Sequence, residues 1–96
     1  MTDNLFHENP IRSKIKMMQN IIEIIRCLHL GKRELAEALI EELKIRSIQL
    51  DEPIQQRVLM FVEQVQFQYA YDPWHKITPE VEKAADLLLE SLKGER

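Results

Sequence analysis

The sequence predicts an all-α protein, an antiparallel four-helix bundle-like domain with short loops. Three observations predict it. Apolar residues recur at steps of three and four along four separate segments. Two glycines and four prolines in 96 residues supply too few turn signals for a fold of many short strands. The prolines also stand at segment boundaries, where their missing N–H does not interrupt a helix. Residues 1–96 read as a single helical domain, with 1–8 as a flexible N-terminal tail.

The first helix is expected from Pro10 to Leu30, with Asn9 as N-cap and Pro10 as its first residue. Ile11, Ile15, Met18, Ile22 and Ile25 form one row, and Met17, Ile21, Ile24 and Leu28 an adjacent one. Together they cover about half the circumference, against roughly 100° for an ordinary surface helix, so this helix is expected to be the central one. Gly31 ends it, because glycine adopts the left-handed conformation that closes a last turn.

The second helix is expected from about Lys32 to Ile48, with Leu35, Ala36, Leu39, Ile40, Leu43 and Ser47 on one face. Ile45 and Ile48 fall outside that stripe. Asp51-Glu52-Pro53 is a stop and restart, with Asp51 or Glu52 as the cap. The third helix then runs from Pro53 to Tyr71, and Asp72-Pro73 breaks it. Ile54, Val58, Phe61, Val62, Val65 and Tyr69 draw one stripe along it, while Met60, Phe67 and Tyr71 lie roughly opposite. Trp74 follows in the connection, either as a plug on the bundle or as an exposed contact residue. Thr78-Pro79 opens the fourth helix, Val81, Ala84, Ala85, Leu88, Leu89 and Leu92 line its apolar face, and Lys93-Gly94 closes it.

Composition limits the functions open to such a domain. A net charge of −3 points to no polyanionic partner. The charge is uneven: residues 1–50 carry eight Lys/Arg against seven Asp/Glu (+1), residues 51–96 five against nine (−4). Cys27, the single cysteine, cannot form an internal disulfide, which favours a reducing, cytoplasmic setting. The N-terminus lacks the pattern of a signal peptide, and Met17 to Leu30 is too short and too polar to cross a bilayer. Neither a membrane association nor a small-molecule substrate is expected.

No catalytic, cofactor-binding or metal-binding residues are expected. His7, His29 and His75 lack the short fixed spacings of zinc ligands. Cys27 and His29, two apart, point to sides of a helix about 200° apart, so they do not form a nucleophile and base. Glycine-rich phosphate loops need more than two scattered glycines. Arg12, Lys14 and Lys16 make a basic start to the first helix, and Leu35-Ala36 with Leu39 has the flavour of a helix-turn-helix motif. A real motif would turn within a few residues; here Ile40-Glu41-Glu42-Leu43 carries on with acidic side chains. A DNA-binding transcriptional regulator using that basic start is therefore the alternative. The leading expectation is a small non-enzymatic regulatory or adaptor protein that binds protein, including itself as a homodimer. Its contact candidates are Met60, Phe67, Tyr71, Ile45, Ile48 and Trp74, apolar or aromatic groups for which one core has no evident use.

Overall fold

The computed structural model describes residues 10–71 and 77–93, and these form four α-helices. They are α1 (Pro10–Leu30), α2 (Arg33–Ser47), α3 (Glu52–Tyr71) and α4 (Pro79–Lys93). The observed ends lie within one residue of the expected ones, because each end has a local chemical cause. At the end of α1, Gly31 takes φ +70. Its N–H donates to the Leu28 carbonyl (3.3 Å) while the Lys32 N–H reaches back to the Cys27 carbonyl (2.9 Å). That pair of bonds is a Schellman closure and needs a left-handed residue at this point. A Cβ at Gly31 would meet nothing within 4 Å, so the demand is on backbone conformation alone. Gly31→Val should therefore cost about 1–2 kcal/mol, and Gly31→Asn should recover most of it in a thermal melt.

At α4, Thr78 is the cap: its Oγ1 accepts from the Val81 N–H at 3.2 Å. At α3 the cap is the backbone of Asp51, whose carbonyl accepts from the N–H groups of Ile54 and Gln55, both at 3.0 Å. The Gln55 side chain secures the preceding turn, donating from Nε2 to the carbonyls of Leu50 (2.7 Å) and Ile48 (3.3 Å). The expected cap Asn9 lies outside the described residues.

Each helix buries a row whose steps alternate four and three. The rows are Ser13, Met17, Asn20, Ile24 and Cys27 on α1, and Ala36, Ile40, Leu43 and Ser47 on α2. On α3 they are Ile54, Val58, Phe61, Val65 and Gln68, and on α4 Val81, Ala85, Leu88 and Leu92. This spacing lets ridges of one helix enter grooves of the next at a shallow angle, the geometry of antiparallel bundles. The principal packing is α1 with α2 and α3 with α4, joined by α2 on α3 and α1 on α4. The smallest dimension is 16 Å, two helix layers thick. One apolar cluster, with Phe61 and Met17 among its largest fully buried members, runs through all four helices.

Two expectations need correction. Helix α1 is not central, since its main neighbours are α2 and α4, just as those of α3 are α2 and α4. Accordingly, of the two expected apolar rows only the Met17, Ile21, Ile24 and Leu28 row is fully buried, together with Ser13, Asn20 and Cys27, while Ile11 is 70% and Ile22 53% exposed, and Ile15 is exposed too. Leu35, expected on the inner face of α2, is exposed as well. Two neighbours cover a narrower arc of a helix than three would, and these residues fall beyond it.

Candidate partner-binding surfaces

The candidate contact residues can now be placed. Met60 and Phe67 project from the outer side of α3, 51% and 60% exposed. Met60 and Gln64 line a shallow groove of about 240 Å³ against Glu80, Lys83, Ala84 and Leu87 of α4. Arg57 ties this pair of helices together at one end, donating from Nη1 to Ser91 Oγ (2.6 Å) and to the Leu87 carbonyl (3.1 Å). Ile45 on α2 and Ile48 just past its end are exposed, and neither lines this groove. Of the described candidates, Met60 alone lines this groove. Trp74 and the side chain of Tyr71 lie outside the described residues.

A second apolar surface is one that sequence reasoning assigned to the core. Ile11, Ile15, Met18, Ile22 and Ile25 follow one another at steps of four, three, four and three, the same rhythm as the buried row beside them. Helix α1 thus carries two seams. One is closed against α2, and the other is exposed or half-buried along its length. The second seam runs into a groove of about 490 Å³ between α1 and α4, lined by Ile25, His29, Ile77, Glu82, Ala85, Asp86 and Leu89. A doubled 4–3 spacing on one helix was the signal available in the sequence. It shows two faces but does not show which of them the fold will cover.

Charge is arranged across this groove. The exposed charges flanking the α1 seam are Arg12 and Arg26, with Lys14 half-buried beside it. The outward side of α4 carries Glu82, Asp86 and Glu90, with Lys83 exposed near Glu90 and Lys93 near the helix end; Glu82 and Asp86 are the charges that line the groove. Arg12, Lys14 and Lys16 stand about 200° apart in succession on the helix, so they do not add up to one basic face.

The chemistry inside the bundle is quiet. Burial pushes the Cys27 thiol up from its ordinary range, with Glu23 adding to the effect, so it stays protonated and a poor nucleophile. Burial does the same to the Tyr69 phenol, whose hydroxyl has no hydrogen-bond partner among the described residues. Arg33 stacks over the Tyr69 ring at 5.4 Å from its centroid. Asn20 sits in the α1–α2 seam with Nδ2 donating to Glu42 Oε2 at 3.4 Å and its Oδ1 unpaired. Among the described residues, no group of three or more His, Cys, Asp or Glu is placed to hold a metal ion, and no helix is long and apolar enough to cross a membrane.

The chain matches no protein-family model, no curated protein and no solved structure. The functional reading therefore rests on the surfaces themselves.

Proposed function

We propose that this protein is a non-enzymatic interaction module that works by binding protein, and that it associates with itself as a homodimer in a cytoplasmic setting. The observation that carries this reading is the second seam of α1. A row of isoleucines and a methionine in coiled-coil rhythm gains little from water contact, and each such side chain gains about 1.5–3 kcal/mol on full burial. Met18 and Ile25 pack partly against the core, but Ile11, Ile15 and Ile22 stand exposed in the same row, and a soluble monomer seldom exposes several large apolar groups along one helix face. Met60 and Phe67 on α3, with Ile45 on α2 and Ile48 at its C-cap, offer further contact points for a regulatory or adaptor role. Methionine adapts its shape to a partner, and aromatic groups supply much of the energy at interfaces.

Light scattering on the purified chain tests the reading. The expected result is twice the mass of one chain at high micromolar concentration, falling on dilution, with a melting temperature that rises with concentration. A single-chain mass at every concentration, with no dependence of melting on concentration, sinks it.

A further inference from the structure

Building on that self-association, we infer that the homodimer forms through the α1/α4 face, with a two-fold axis running along the groove so that each α1 lies over the α4 of its partner. Three features of the face select this arrangement. First, the apolar strip is shared by both helices: Ile25 on α1 and Ala85 and Leu89 on α4 line the same groove, and Ile22, three residues before Ile25 in the same seam, is exposed. Second, the face is basic on its α1 side and acidic on its α4 side. A two-fold axis along the helices swaps the two sides, setting basic α1 on acidic α4. An axis across them would stack α1 on α1 and place Arg12 and Arg26 against like charge. Third, the axis along the groove keeps each residue at its own level. Ile25 already lies beside Glu82, Asp86 and Leu89 within one chain. Arg26, which reaches Glu23 at 3.9 Å in its own helix, is thereby carried over the partner's Asp86.

The size of the face is adequate. Helix α1 has 21 residues, so it is about 31 Å long. Helix α4, with 15 residues, is about 22 Å long, so two helices each about 10 Å wide give a footprint of roughly 530 Å² per chain, at the small end for a specific dimer. The association is accordingly reversible and sensitive to single substitutions at its centre.

The test is the dimer dissociation constant of the full chain, read by light scattering, with circular dichroism melts as the folding control. Ile22→Asp should raise the constant about a hundredfold, since it buries two carboxylates per dimer, and it should leave the helical signal intact. Arg26→Glu and Asp86→Arg should each raise it about tenfold, and the double reversal should restore it to within about threefold. Both charged residues are exposed, so neither change threatens the fold. A double reversal no better than the single ones overturns the pairing of α1 with α4. A dimer that survives Ile22→Asp but is broken by Met60→Asp overturns the choice of face while self-association stands. A wild-type chain that never dimerises overturns both.

Discussion

Phe61→Ala is expected to leave most of the chain unfolded on modest warming, whereas Met60→Ala, one residue earlier, should barely move the melt. Phe61 is fully buried and belongs to the cluster shared by all four helices. Removing its ring deletes apolar contact and leaves a cavity that the rigid helices around it close only in part. Such changes cost about 3–5 kcal/mol. A chain of this length has roughly 5–14 kcal/mol in total, so about half of its stability is at stake. At about 4–8 °C per kcal/mol, the midpoint should fall by some 15–30 °C. Met60 is half in solvent, and a surface truncation of this kind stays within about 0.5 kcal/mol. Equal losses in urea melts of the two variants, measured dilute, would mean that the inward face of α3 has been misassigned.

That contrast marks what a sequence of this kind discloses. The inner stripe of α3 and the face of α4 were legible because each is the most continuous apolar row of its helix, whereas the opposite side is broken by glutamines on α3 and by charge on α4. Helix ends were legible too. Gly31, Asp51 and Thr78 act through bonds to residues within five positions, so nothing distant decides them. Which row of α1 would be buried was not legible. Both rows are continuous and apolar, and the choice depends on how many neighbours the folded helix has, a property of the whole chain. The buried polar residues were hidden for a related reason. Ser13, Asn20 and Gln68 read as surface by type, yet each occupies a position in the four–three rhythm of its helix. Gln68 is kept there by accepting from the Thr78 N–H at 3.1 Å, a bond across ten residues that ties α3 to the start of α4. Asn20 stands among apolar seam neighbours, the kind of place where a polar side chain fixes register at a cost in stability.

Tyr69→Phe is expected to make the protein more stable, and to do so increasingly at alkaline pH. Tyr69 is 6% exposed, and its hydroxyl gave up water on folding without gaining a partner among the described residues. An unpaired buried donor costs about 1–3 kcal/mol, whereas a phenylalanine ring fills nearly the same space with no polar atom to satisfy. The Arg33 stacking persists on a phenyl ring, only somewhat weaker. The gain at neutral pH should therefore be about 1 kcal/mol or more, a rise of some 4–8 °C in the melting midpoint. The pH dependence has a definite sign. In the folded chain both Cys27 and Tyr69 hold their protons above their ordinary values of 9.0 and 10.0, with burial the first cause in each case. Below pH 9 both groups are protonated in both states and contribute no slope. Above it the unfolded chain releases protons that the folded chain retains, so the folded state binds more protons and stability falls as pH rises. The fall continues until the folded groups themselves ionise. Replacing the phenol removes its share of that loss, so the variant's advantage over wild type should widen once the pH passes 10. Paired thermal melts from neutral to strongly alkaline buffer would show it, and a variant that melts below wild type would mean that the hydroxyl has a bonding partner after all.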